Sequence, residues 1–329
     1  MNYRSFGRTD LQVSEIGFGA WAIGGPAFAG TMPIGWGETD DTTSEKALHR
    51  AFDLGINFYD TADFYGLGHS EELIGRVFGN RSDVIIASKV GQKLGDNKVE
   101  IDYSKAYIMQ ACEDSLHRLR RDTIDYHQLH IAKVAHLEQG ECIEAMEQLQ
   151  QEGKIRYWGI SLNTFAPEPE ADFFLTHQIG HGFQVVFNIL NQHILSYLPN
   201  MQAQGYGIIA RMPLQFGLLA GKFDTSTTFD ANDHRSFRLT PELIETSNKA
   251  LQPVWELARQ YGVSPAELSL SYILSFPEIS TIIPGIRTPE QADKNTKGLV
   301  QLKPEDKAFV MQQYETAFRP VVEMMRRQG

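Results

Sequence analysis

The sequence predicts an α/β fold of the (β/α)₈ barrel type, and three observations carry that prediction. Eight short apolar runs, rich in Ile, Val, Phe and Tyr, recur along the 329 residues. Amphipathic stretches with helical spacing separate them. No linker, low-complexity tract or internal repeat interrupts the alternation, so residues 1–329 are expected to form one domain. Strands covered on both faces read as near-continuous apolar runs. Eight strand–helix alternations in about 300 residues match the length of a closed parallel barrel.

The candidate strands are residues 14–21, 56–61, 84–89, 124–130, 157–161, 183–188, 207–212 and 280–284. A helix is expected over 42–54, where Ala47, Leu48, Ala51 and Leu54 share a face. Ala111, Ser115 and Leu119 do the same over 104–121, and Ile143, Met146 and Leu149 over 137–152. Further helices are expected over 248–261 and 265–275. Residues 2–14 read as a β-hairpin, turning at 7–10, that plugs the barrel bottom. Residues 217–247 form a long polar insertion after the seventh strand. A structureless loop of that length is usually functional or mobile.

The formal charge of −11 and a pI near 5.4 argue against nucleic acid or an anionic membrane surface as the main partner. Cys112 and Cys142 both fall in helical patterns and are too few for a disulfide framework. The first fourteen residues carry no apolar signal-peptide core, and no run of ~18 apolar residues exists. A cytoplasmic protein is expected.

In a parallel barrel, chemistry sits where strands end. The second strand ends in Asp60, with Tyr65 in the loop beyond; the third ends in Lys89, the fourth in His130 and the fifth in Ser161. Each residue alone has a plain structural reading: a turn cap, a packed ring, a satisfied core histidine. Their occurrence on successive strand ends points them into one mouth. A phenol releases its proton near pH ~10, and a neighbouring ammonium favours the phenolate. Asp60 would keep a buried Lys89 charged, and His130 would orient a carbonyl oxygen. That set protonates a carbonyl but supplies no electrons, so a hydride-carrying cofactor is implied.

Asn57-Phe-Tyr-Asp60-Thr-Ala-Asp63-Phe-Tyr65-Gly, followed by Gly68-His-Ser-Glu71, resembles the aldo-keto reductase signature. The likeness continues through Ile85-Ile-Ala-Ser-Lys89, Asp125-Tyr-His-Gln-Leu-His130, Gly217-Leu-Leu-Ala-Gly-Lys222 and Ile283-Pro-Gly285 to Asn295. The Gly-Trp36-Gly lead-in and the Pro-Gly285 ending resemble the bacterial and channel-β-like branch. The resemblance implies a catalytic tetrad of Asp60, Tyr65, Lys89 and His130, and use of NADP(H) more than NAD(H). It implies that Ala20, Trp21 and Asp60 flank the nicotinamide and that Ser161, Asn163 and Gln184 hold its carboxamide. Arg211, Pro213, Leu214, Gln215, Phe216 and Lys222 would stack on the ring and cradle the pyrophosphate. Gly285, Arg287, Gln291, Lys294 and Asn295 would take the adenosine end, with Arg287 on a 2′-phosphate, which suits a guanidinium fork.

The sequence also departs from the family pattern. Leu162 separates Ser161 from Asn163, Arg211 stands where an aromatic residue is common, and Gln291 replaces a basic residue. Arg235 and Arg238 of the insertion are further candidates for the pyrophosphate. The reaction implied is reduction of an aldehyde or ketone, with a small carbonyl or sugar-like substrate. A nucleotide-sensing regulatory subunit and a sugar or cyclitol dehydrogenase are the alternative readings; the oligomeric state is left open.

Two decoys are set aside. Gly17-Phe-Gly19-Ala-Trp-Ala22 imitates a dinucleotide fingerprint, but Gly24-Gly25-Pro26 stands where its helix must begin. The pairs His127/His130 and His177/His181 lack a third ligand, so no metal site is expected. The substrate pocket is expected from residues 26–37, the insertion and the C-terminal tail, with Trp21, Phe28, Met32, Trp36 and Phe64 as its apolar lining.

Overall fold

The computed structural model describes residues 1–328. The chain opens on β1 (Tyr3–Ser5) and β2 (Gln12–Ser14), an antiparallel hairpin. The first barrel strand, β3 (Phe18–Gly19), leads to a hairpin of β4 (Phe28–Ala29) and β5 (Met32–Pro33), then to α1 (Asp41–Asp53). β6 (Phe58–Asp60) is followed by α2 (His69–Val77). After β7 (Ile85–Val90) comes a third hairpin, β8 (Gln92–Leu94) and β9 (Val99–Ile101), and then α3 (Lys105–Leu119). β10 (Ile124–His130) leads to α4 (Val134–Gln139) and α5 (Glu141–Gln151). β11 (Ile155–Ser161) precedes α6 (Glu168–His177), and β12 (Gly182–Val186) precedes α7 (Leu198–Ala203). β13 (Gly207–Arg211) enters the insertion, which holds α8 (Arg235–Arg238) and ends at α9 (Pro241–Tyr261) and α10 (Pro265–Leu274). The last barrel strand is β14 (Thr281–Ile283), followed by α11 (Pro289–Thr296), α12 (Pro304–Gln313) and α13 (Arg319–Gln328).

The eight predicted strands form one parallel sheet in the order β14-β13-β12-β11-β10-β7-β6-β3. It closes on itself through bridges between Ile16 and Ile282 and between Gly19 and Gly285. Closure removes the sheet edges, and the helices cover the outside. β7, β10 and β12 are consequently buried at every position, β10 with its polar side chains included. Helix starts are set by local chemistry: Asp40 accepts from the Thr43 amide at 2.7 Å, and Ser264 with Glu267 forms a capping box.

The N-terminal hairpin closes the bottom as the sequence predicts. Phe6, Leu11 and Val13 share a core cluster with Phe58, Ile85, Ala87, Tyr126, Ile209 and Ile283 of the barrel interior. The Phe6 ring meets Tyr126 edge-on at 4.8 Å. A Cβ on Gly207 would stand 2.6 Å from that ring, so the strand needs glycine where the plug enters.

Two expectations are corrected. The helix predicted over 137–152 is two helices that break at Gly140, whose φ of 81° a right-handed helix cannot hold. The insertion is not structureless. It contains a 3₁₀ turn (Gln215–Ala220) and α8, and its last helix begins at Pro241 rather than near residue 248. Thr240 caps that helix by accepting from the Leu243 amide, a signal hidden in the polar composition of the stretch.

Among the described residues, no helix is long and apolar enough to cross a membrane. Replacing Phe6 with Ala would empty a fully buried ring position. The expected loss is about 3–5 kcal/mol of unfolding free energy, read from urea denaturation; a loss below about 1 kcal/mol would mean that the plug is not part of the core.

Candidate active site

Along the inner face, side chains alternate every second residue, and four strands change from apolar to polar as they rise. Phe58 is followed by Asp60, Ile85 and Ala87 by Lys89, Tyr126 by Gln128 and His130, and Ile209 by Arg211. The barrel is therefore oily below and charged at its mouth. A cavity of about 610 Å³ opens there.

Lys89 lies at its floor with no exposed surface. Its ammonium donates to Asp60 Oδ1 at 2.6 Å, to the Thr61 carbonyl at 2.7 Å and to Tyr65 Oη at 3.1 Å. Burial pulls this ammonium down most strongly, but Asp60 and Tyr65 together outweigh it and the net shift is upward. Asp60 is itself held by Gln184 at 2.6 Å and Gln128 at 3.2 Å, both on Oδ2. Burial, then the cations Lys89 and Arg211, hold the His130 imidazole well below its ordinary value, so the ring is neutral. It faces the Tyr65 ring edge-on at 6.0 Å, and its Nδ1 is buried without a partner.

Tyr65 is delivered by a tight turn. Gly66 takes φ 60°, and a Cβ there would overlap the Gly24 carbonyl at 2.0 Å; Leu67 is also left-handed, with φ 54°. Strain of this kind persists where its surroundings enforce it. Here Glu71, fully buried at the start of α2, accepts from Arg118 Nε at 2.7 Å and from the Ser88 hydroxyl. Ser88 precedes Lys89, so this network ties the Tyr65 segment to the lysine strand.

Trp21, Asn163, Gln184 and Arg211 line the cavity, as do Ala20, Lys222, Gly285 and Gln291. Ser161 is buried and level with both Gln184 and His130 in the sheet, outside the cavity wall. Asn163 Oδ1 accepts from the Phe165 and Ala166 amides, which ties its own loop. Pro213, Leu214, Gln215 and Phe216 line one wall on a turn with Met212, Gln215 and Phe216 at positive φ. Asn188 braces that turn by donating to the Met212 carbonyl at 2.9 Å and to Gln215 at 2.8 Å.

Beyond Lys222 stands a group of cations; Arg287 and Lys294, with Asn295, lie outside the cavity lining. Burial, then Arg235, Arg287 and Lys294, hold the Lys222 ammonium below its ordinary value. Arg235 alone of the four is ion-paired among the described residues, to Asp233 at 2.6 Å. Gln291 accepts from the Arg287 amide at 2.8 Å and so shapes the loop that carries the arginine. Asn295 is 7% exposed, and its Nδ2 has no partner. Like charges gathered beside an unsatisfied amide fit a phosphate-bearing nucleotide.

Met32, Trp36 and Phe64 line the pocket, whereas Phe28 does not. The insertion covers the mouth. His234 stacks on Trp21 at 4.6 Å and meets Trp36 edge-on at 4.6 Å. Arg235 lies 4.8 Å above Trp36, and Arg238 also lines the cavity. Met325 and Gln328 bring the C-terminal helix to the wall. Gln128 and His234 were not singled out from sequence. Gln128 was recoverable, because period two puts it on the face of His130. His234 carried no local signal.

A parallel barrel that gathers a charged lysine and aspartate, a tyrosine and a neutral histidine at its mouth is the frame of an oxidoreductase family. The aldo/keto reductase family model matches residues 15–313, and the chain belongs to that family. It is 32% identical to the uncharacterized oxidoreductase YqkF of Bacillus subtilis over 90% of each chain. A solved glycerol dehydrogenase from Gluconobacter oxydans superposes with a TM-score of 0.78 at 30% identity, covering 95% of this chain and 94% of the other. A holo aldo-keto reductase from Bacillus halodurans gives a TM-score of 0.75 at 28% identity, covering 95% and 96%.

Replacing Arg118 with Met would leave the Glu71 carboxylate buried without its ion partner. A loss of about 3–5 kcal/mol is expected, measured by chemical denaturation. Pairing the change with Glu71→Gln should return part of that loss; no recovery would deny the coupling.

Proposed function

We propose that this chain reduces aldehydes or ketones to alcohols with NADPH, using Tyr65 as the general acid. One observation carries the reading. The Lys89 ammonium donates to Asp60, to the Thr61 carbonyl and to Tyr65 Oη. Because Tyr65 Oη accepts from the lysine, its own proton is free to be donated elsewhere, toward the cavity. When that proton leaves, the ammonium already in place stabilises the phenolate that remains. His130, neutral by burial and by the cations beside it, presents a ring that orients the carbonyl oxygen without competing as a charged acid.

The cation group at Lys222, Arg235, Arg287 and Lys294 would hold the phosphates, and Asn295 the adenosine end. Gln184 and Asn163 would meet the carboxamide, and the wall from Pro213 to Phe216 would support the ring. Bound there, a reduced nicotinamide supplies the hydride for the carbonyl carbon. The aromatic cover of Trp21, Trp36 and His234 keeps water from the reacting oxygen. The holo neighbour and the dehydrogenase neighbour support this class of chemistry.

Tyr65→Phe removes the hydroxyl and keeps the ring. NADPH-dependent reduction of a reactive aldehyde should fall by ~10²–10⁴-fold, while nucleotide affinity survives. Lys89→Met should do similar damage, and the double variant should be no worse than either, because the two act as a unit. A Phe variant that keeps more than about a tenth of the rate would reject Tyr65 as proton donor.

Arg287→Ala should weaken NADPH by about 1.5–3 kcal/mol, with NADH little changed, as read by fluorescence titration. Equal weakening of both nucleotides would remove Arg287 from the 2′-phosphate.

A further inference from the structure

Ile131 directly follows His130 and lines the cavity. Its φ of 67° is left-handed. Of the eight described non-glycine residues at positive φ, it alone is β-branched. A branched Cβ makes that region a steric outlier. Such a residue stays there only when the packing around it leaves no other choice.

The His130–Ile131 peptide is gripped from both sides. The Ile131 amide donates to the Ser161 carbonyl at 3.0 Å, which fixes one edge against β11. The His130 carbonyl accepts from Tyr103 Oη at 2.6 Å and from Gln92 Nε2 at 3.5 Å. A trans peptide is rigid and planar, so holding both of its polar atoms sets its plane. Tyr103 supplies the shorter and stronger of the two bonds to the carbonyl. The residue is 6% exposed, and burial holds its phenol well above the ordinary value, so the hydroxyl keeps the proton it donates. Its ring packs where position 91 has no side chain: a Cβ on Gly91 would stand 2.1 Å from that ring. Gly91 lies two residues beyond Lys89. Its carbonyl accepts from the Asp102 amide at 3.0 Å, which closes the β8–β9 hairpin just before Tyr103.

The His130 ring has need of that grip. Its Nδ1 is buried without a partner, so no hydrogen bond through that atom sets its direction. The backbone beneath it must do so. We propose that Tyr103 is a positioning residue, whose hydroxyl locks the His130–Ile131 peptide and so aims the His130 ring at the carbonyl oxygen of the substrate. Tyr103 does not line the cavity, so it acts through His130 and not by touching the substrate. The β8–β9 hairpin then serves the reaction by delivering one hydroxyl to the backbone. This inference rests on the carbonyl-reductase reading above.

Tyr103→Phe keeps the ring and removes the bond. With NADPH and a reactive aldehyde, kcat should fall by about tenfold or more, while KM and the NADPH Kd stay within about twofold. A purely structural role would lower the unfolding midpoint and leave the kcat of the folded protein unchanged. Ile131→Asn supplies the rescue, because asparagine tolerates the left-handed region without being forced into it. In the Ile131→Asn background the loss caused by Tyr103→Phe should shrink to about threefold or less. A smaller loss than expected in the single variant, or a loss that does not shrink in the Asn background, overturns the proposal. If the wild-type protein reduces no aldehyde, the reductase reading fails, and NMR still decides Tyr103. The His130 Cε1–H signal should shift in Tyr103→Phe, and the shift should shrink in the Asn background. A signal that Tyr103→Phe leaves in place counts against the proposal.

Discussion

Lys89 holds a positive charge where no water reaches it, and acceptors from several parts of the chain converge on it. Asp60 comes from the neighbouring strand, the Thr61 carbonyl from the residue after it, and Tyr65 from the loop beyond. Asp60 in turn needs Gln128 and Gln184, which draws in two more strands. A buried ion pair of this kind contributes little net stability. It does impose a single arrangement, because any shift of one strand leaves a charge or an amide unsatisfied in a low-dielectric interior. The apolar floor beneath it, filled by Phe6 and Tyr126, sets the level at which the charges begin.

Loop geometry then works against that fixed floor. The turn carrying Tyr65 and the turn carrying Phe216 both hold residues at positive φ, and both are braced by buried polar groups. Glu71 with Arg118 and Ser88 secures the first, and Asn188 with Gln215 secures the second. Each brace reaches a different secondary-structure element. The strain is thus supported by the whole barrel rather than by the turn itself.

Positive charge gathers in two places around the mouth. Lys222, Arg235, Arg287 and Lys294 crowd one end, with a single ion pair among them. Arg211 stands apart from them, with Tyr65 and Asp60 as its electrostatic neighbours. The insertion spans the two, because it supplies Arg235 to the first group and packs His234 against Trp21 and Trp36 near the second. Burial of His234, and then the Arg238 charge near it, push its imidazole down to about 3. The cover over the site is accordingly an uncharged aromatic stack.

The barrel was legible in the sequence because its strands are buried on both faces, which leaves short stretches rich in Ile, Val and Phe along most of them. Asp60, Lys89 and His130 were legible because each polar residue interrupts such a run at its end. The plug was legible from a hairpin pattern with one buried aromatic. The rest depends on distance in space. Gln128 needed the inner face to be known, and the order of the insertion rests on contacts between residues 233–235 and residues 35–36, about two hundred positions away. Arg211 could be read as a charge at an unusual position, but its neutral hydrogen-bond acceptors, the Leu162 carbonyl and Thr164, are set by everything packed around it. Sequence alone singled out the candidate groups for chemistry, through local pattern. Tertiary structure decided which of them are partnered, because pairing and desolvation are set by neighbours that the chain order does not reveal.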